Sequence, residues 1–207
     1  MTKMKKLLIA AVCLVAILTT AVVGTIAWLT DKTETVKNTF SPSNIDITLA
    51  ESKNLDLKMV PGTTITKDPV VTVKKDSEAC WLFVKIEKAN NFDAFMAFAV
   101  AAGWTELTEG SGIYYRQVAS SSTADQTFGI LGAGTWKENA NFTWTTNQVL
   151  VRPDVTESMM NSLYNDDGSV KTAAVPTLSF TAYACQQEGF ANAAAAWTEA
   201  QKLDTTP

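Results

Sequence analysis

The sequence contains no histidine, and this absence excludes more chemistry than any other feature of the chain. Ser-His-Asp and Cys-His nucleophile systems, H-E-x-x-H zinc sites and ordinary imidazole acid–base catalysis all need a side chain that is missing here. Cysteine is scarce, with only Cys13, Cys80 and Cys185. Two cysteines in the body of the chain, without histidine, do not make a usual structural zinc site. No G-x-G-x-x-G or P-loop occurs; Gly129, Gly132 and Gly134 approach a glycine-rich loop, but Lys137 lacks the Ser or Thr neighbour that a P-loop requires. Ser-Lys and carboxylate-pair mechanisms survive only on paper, because scattered Asp and Glu in an acidic chain read as a solvated surface. Asn165-Asp166-Asp167-Gly168 offers hard oxygen ligands but lacks the remaining spacing of an EF-hand loop and its final glutamate, so it reads as a turn. The sequence therefore predicts no catalytic residue, no cofactor and no metal ligand.

Long uncharged runs are few, and the longest lies at the start of the chain. Residues 7–30 form a run of 24 without charge, and Lys3, Lys5 and Lys6 precede it. A basic start, an apolar stretch and small residues at Thr25 and Ala27 are the parts of a secretory signal peptide, which predicts cleavage between Ala27 and Trp28. The run also exceeds the roughly 20 residues that span a bilayer, so retention as an anchor is the alternative. Thr19, Thr20, Gly24 and Thr25 weaken such a helix. Val12 stands where a lipoprotein site needs a small residue, so Cys13 reads as an apolar residue of the signal.

Cleavage removes three lysines and no acid, leaving 180 residues with 14 basic and 21 acidic side chains, a net charge of −7. Nucleic acid is disfavoured as a partner, since phosphate binding needs clustered Lys and Arg. No basic amphipathic segment suggests a membrane surface, so membrane contact is expected only before cleavage. The expected product is secreted, to the extracellular matrix or cell surface, with an arm over 28–40 and one domain over 41–207. In an oxidising compartment Cys80 and Cys185 leave two readings open. They form either a disulfide closing a loop of about a hundred residues, worth about 4 kcal/mol on the loop-entropy model, or two buried thiols.

Along the body, apolar residues recur mostly with a period of two. Residues 36–49 settle into Ile45, Ile47 and Leu49 against Asp46 and Thr48, and Leu55, Leu57 and Met59 repeat the pattern up to Pro61-Gly62. Residues 63–73 read as two short strands or one bulged edge strand, because Asp68-Pro69 interrupts them. Cys80, Leu82, Val84 and Ile86 alternate with Trp81, Phe83, Lys85 and Glu87 in the strongest strand, which reads as central. Phe92, Phe95, Met96 and Ala99 then fall at helical spacing between Asn90 or Asn91 and Gly103, predicting a short amphipathic helix.

Residues 104–107 and 113–118 read as a hairpin, 126–147 as one or two irregular strands, and 148–151 as a strand ended by Pro153. Asp154 is the expected cap of a helix carrying Val155, Met159 and Leu163. Residues 176–187 form another strand, with Leu178, Phe180, Ala182 and Ala184 opposite Thr181, Tyr183 and Cys185. Residues 190–201 read as an alanine-rich helix. Strands outnumber helices and lack βαβ alternation, which predicts a mainly β, antiparallel sandwich with short helices in its connections.

The junction Gly24-Thr25-Ile26-Ala27-Trp28-Leu29-Thr30-Asp31, with Thr39-Phe40 and Asn44-Ile45-Asp46-Ile47, resembles the TasA/camelysin family of Gram-positive bacteria. Leu57-Lys58-Met59-Val60-Pro61-Gly62, Trp81-Leu82-Phe83-Val84-Lys85 and Phe180-Thr181-Ala182-Tyr183-Ala184 are similar to that family's strand pattern. The resemblance implies a jelly-roll protein, processed by a SipW-type signal peptidase and assembled head to tail into fibres of the biofilm matrix, alone or with other matrix proteins. It also implies a donor strand at residues 28–40, with Trp28, Leu29, Val36 and Phe40 as the residues that fill a neighbour. Camelysin members are described as cell-surface metalloproteases, which the lack of histidine makes hard to carry over. Cys80, Cys185 and the stretch 126–147 depart from the pattern. A surface binding module using Trp104, Tyr114, Tyr115, Trp136 and Trp144 is the alternative to a fibre subunit.

Overall fold

The computed structural model describes residues 44–52, 58–89 and 91–205, all of which belong to the compact unit Pro42–Pro207. The cleavage pair Ala27 and Trp28, the arm positions Leu29, Val36 and Phe40, and Leu55 and Leu57 lie outside the described residues. In chain order the elements are β1 (Ile47–Ala50), β2 (Thr64–Thr66), β3 (Val70–Val73), β4 (Cys80–Lys88), α1 (Phe92–Phe95), β5 (Met96–Ala97), β6 (Ala99–Val100), β7 (Thr105–Glu106), β8 (Ile113–Val118), β9 (Gln126–Gly129), β10 (Leu131–Gly132), β11 (Gly134–Thr135), β12 (Thr143–Trp144), β13 (Gln148–Val151), α2 (Glu157–Asn161), β14 (Leu178–Gln186) and α3 (Ala193–Ala200).

The fold is mainly β and antiparallel throughout, a β-sandwich with short helices in its connections. Its largest sheet has the order β14-β4-β8-β7, and a three-stranded sheet, β1-β3-β9, faces it. Cys80, Leu82, Val84 and Ile86 of β4 fill the space between them with Val71 and Val73 of β3. The other face of β4 carries Trp81 and Phe83, which meet Tyr183 of β14 and Trp197 of α3. Both faces of β4 are thus covered, which is why it reads as a near-continuous apolar run. A second small sheet, β2-β13-β5, shelters Ile65, Val149 and Val151 together with Phe92 and Phe95 of α1.

The helix expected between Asn90 or Asn91 and Gly103 is a correction. Only Phe92–Phe95 is helical, and Asn91 makes no side-chain cap; its amide donates instead to the Ala174 carbonyl at 3.1 Å. Met96 and Ala97 pair with Val151 and Leu150, and Ala99 and Val100 with Gly132 and Leu131. Ladder bonds to distant strands outweigh a helical spacing that a turn followed by strands satisfies equally well. A Cβ on Gly132 would lie 2.8 Å from Ala101 Cα, so this pairing depends on glycine.

Thr156, not Asp154, caps α2: its Oγ1 accepts from Met159 N at 3.3 Å, while Asp154 is paired with Arg152. Residues 63–73 form two strands in different sheets, β2 and β3. Asn192 caps α3 by accepting from Ala195 N at 2.9 Å. Ala193, Ala196 and Ala200 let the helix approach β4 and β14 closely.

The hairpin β7–β8 turns through Gly110 (φ +75°) and Gly112 (φ +68°), both left-handed. A Cβ on Gly110 meets nothing within 4 Å, whereas one on Gly112 would sit 2.7 Å from the Ile86 carbonyl oxygen. Gly110→Ala is therefore expected to cost about 1–2 kcal/mol from conformation alone. Gly112→Ala adds a backbone clash, for about 3 kcal/mol in total. Urea midpoints of the two variants check the difference.

Candidate functional site

β14 forms an unbroken nine-residue antiparallel ladder with β4, from Leu178 opposite Lys88 to Gln186 opposite Cys80. Among the described residues β4 is the one strand hydrogen-bonded to it, so β14 borders the largest sheet, with β1 of the facing sheet packed close by. Its sequence, Leu-Ser-Phe-Thr-Ala-Tyr-Ala-Cys-Gln, contains no charge, proline or glycine. Natural sheet borders usually carry such residues because an unprotected row of N–H and C=O groups invites another strand.

Side chains of β14 anchor it from both faces. Phe180, Ala182 and Ala184 join the sandwich interior, while Tyr183 stands edge-on to Trp197 at 5.1 Å. Lys67 Nζ lies 5.3 Å from the Phe180 ring centroid and is paired with Glu51 at 2.9 Å. The inner face is therefore packed along the strand, whereas the outer face is covered only at Tyr183 and Cys185. A packed strand lowers the ordering cost that an incoming strand must meet.

The described chain enters the sandwich beside this border. The carbonyl of Asn44 accepts from Glu78 N at 3.0 Å and that of Asp46 from Lys74 N at 2.9 Å, while Asp46 N donates to Ser77 Oγ at 3.1 Å. Ile45 and Ile47 pack into the core between the two large sheets. The segment that follows the arm is thus fixed to the domain from Asn44 onward.

Cys80 and Cys185 are two free, buried thiols and not a disulfide. The ladder register sets Cys185 opposite Trp81, and Cys80 opposite Gln186. Adjacent positions on a strand point to opposite faces, so Cys80 faces the sandwich interior and Cys185 the α3 side. Burial first, then the neighbouring Cys185, pushes the Cys80 thiol up to about 11. Burial and Glu199 raise that of Cys185. Because the thiolate is the reactive form, iodoacetamide at pH 8 is expected to leave both unlabelled in the native protein and to modify both in guanidinium. Mass spectrometry of the digested protein reads this out.

No family model, curated protein or solved structure matches this chain.

The aromatic residues named for a binding surface are dispersed. Trp104 is buried, donates from Nε1 to the Gly129 carbonyl at 2.9 Å and carries Arg116 over its ring. Tyr114 belongs to the sandwich interior and Tyr115 to the α3 side. Trp144 lies against Gly134, and Trp136 lies under Arg152. These five rings do not share one surface. Among the described residues no group of three or more Cys, Asp or Glu is placed to hold a metal ion.

Asn165-Asp166-Asp167-Gly168 is a closed turn. Asp167 Oδ1 accepts from Ser169 N and Oγ, and the serine hydroxyl and amide hold its carboxyl below the usual range. Sequence reading found the β14 strand but missed its position. The signal was present in its lack of charge, which reads equally well as a central strand.

Proposed function

We propose that this chain is an exported structural subunit that assembles head to tail into extracellular or cell-surface fibres. The arm of one copy, residues 28–40, adds as a strand to β14 of the next. The observation that carries this reading is the nine-residue, uncharged strand that borders the largest sheet. An arm of 13 residues extends about 43 Å at roughly 3.3 Å per residue, more than the length of β14. Main-chain ladder bonds supply the affinity in such strand addition, and alternate side chains supply specificity. Trp28, Leu29, Val36 and Phe40 are the arm residues assigned to apolar slots.

An interface between an arm and a distant border is heterologous and has no need to close, so it propagates as a filament. A signal peptidase acting between Ala27 and Trp28 would release the arm, which makes processing the step that licenses assembly. Electron microscopy and sedimentation of protein beginning at Trp28, beside protein beginning at Ser41, test the reading. Fibres are expected only from the first. If both remain monomeric across salt and pH, or both polymerise alike, the donor-arm reading is wrong.

A further inference from the structure

A cavity of about 720 Å³ opens between the small sheet β2-β13-β5 and the start of β14, whose first residue, Leu178, lines it. This lies within the roughly 300–1,000 Å³ of small-molecule sites. Its walls are mostly apolar, with the buried Phe92 and Leu163 and three methionines, Met59, Met96 and Met160, among them. Methionine adapts to flexible apolar guests. Three of the largest exposed apolar side chains of the described residues, Val60, Tyr164 and Val170, stand on its rim. An apolar rim around an apolar cavity marks a site that is covered or filled by something else.

Two further features select the guest. Lys58 and Lys67 are the charged residues of the lining, and none of the described lining residues is acidic, in a chain whose net charge is negative. Lys67 is well shielded, at 17% side-chain exposure, and is held by Glu51 at 2.9 Å. An ammonium in such surroundings forms a strong charge-assisted bond to a carboxylate. The floor offers little to a peptide: Val149 belongs to β13, which already has β2 on one side and β5 on the other. A guest here has to lack backbone groups that demand pairing.

We propose that this groove binds a free long-chain fatty acid. The acyl chain lies among the methionines, Phe92 and Leu163, and the carboxylate meets Lys67 at the mouth, in competition with Glu51. No bond forms or breaks, and the groove reaches β14 only at its first residue, Leu178, and through Lys67, which also lies over Phe180.

The test uses the purified, delipidated full-length chain with hexadecanoic acid and hexadecan-1-ol, by native mass spectrometry and fluorescence displacement. One acid is expected to bind per chain, roughly tenfold more tightly than the alcohol. Lys67→Gln is expected to weaken the acid by about tenfold while leaving the alcohol unchanged, and Glu51→Gln to tighten the acid. Met160→Trp fills the cavity and is expected to abolish both. Should that variant lose its folded circular dichroism, Val170→Asp on the exposed rim places a repelling carboxylate at the mouth and is expected to weaken the acid selectively. Equal binding of acid and alcohol overturns the proposal. So does wild-type affinity in both groove variants, which would place the ligand elsewhere, such as on residues 7–30. If neither ligand binds while the groove methionines gain protection from oxidation on self-association, the groove is an interface between copies and the proposal falls.

Discussion

Ser179→Lys combined with Thr181→Glu is expected to leave the monomer folded and to stop fibre formation. Both side chains are exposed on β14, and the ladder sets Ser179 opposite Glu87 and Thr181 opposite Lys85. Each new charge therefore faces an opposite charge within its own subunit, and such cross-strand pairs are neutral or mildly favourable. The Lys85–Glu87 contact at 2.8 Å on the neighbouring strand shows that charges are tolerated there. An incoming strand meets the same charges on a border that was previously free of them, which is how natural sheets refuse edge-to-edge pairing. The concentration needed for assembly is expected to rise at least tenfold, about 1.4 kcal/mol or more in the interface. Sedimentation velocity reads the assembly, and thermal unfolding of the monomer confirms that stability has changed little. Fibres at the wild-type concentration would move the acceptor border to another strand, with β1 the next to examine.

Phe83→Ala is expected to be the most damaging single truncation in the large sheet. Phe83 is fully buried, 5.3 Å from the Trp197 ring and 6.3 Å from that of Tyr115, and opposite Tyr183 on β14. Truncating a buried phenylalanine costs about 3–5 kcal/mol through lost transfer energy and the cavity left behind. This is a large share of the roughly 5–15 kcal/mol that holds a typical domain together. The cavity would open under α3, whose Trp197 is held by this ring and by Tyr183. Near-ultraviolet circular dichroism is expected to weaken along with the urea midpoint. Trp197→Ala in the same background should add less than its cost alone, because the two rings share one contact. Strict additivity would show that α3 is held by other contacts.

The two effects are linked. An acceptor strand that is packed in place costs less to order on binding, and β14 is held on one side by the interior of the sandwich and, at Tyr183 and Cys185, on the other by α3. Phe83→Ala is therefore expected to reduce assembly as well as stability, whereas the charge pair separates the two.

Local pattern determined much of this protein. The alternation of Cys80 through Lys88 specified a strand buried on both faces, and the structure has it with those bounds. The alternation of residues 178–186 specified which side chains of β14 face the sandwich interior and which face α3. The glycines between β7 and β8 specified a turn, and the alanine-rich run 190–201 specified a helix, which the structure has over Ala193–Ala200. These features are legible because strand and helix periods, caps and left-handed turns depend on residues a few positions apart.

Other features were decided only by the tertiary structure. Phe92, Phe95, Met96 and Ala99 satisfy a helical spacing, yet β13 and β10, distant in sequence, claim the second half of that segment for ladders. Cys80 and Cys185 lie on neighbouring strands, but a register offset of one position sends them to opposite faces. The uncharged strand 178–186 is legible as a strand, but its place at the border of the largest sheet is not. Strand order and register come from long-range pairing that no local window contains. The sequence thus determined that this chain builds antiparallel sheets without histidine chemistry, and the tertiary structure decided which strand is left at the edge of the largest one.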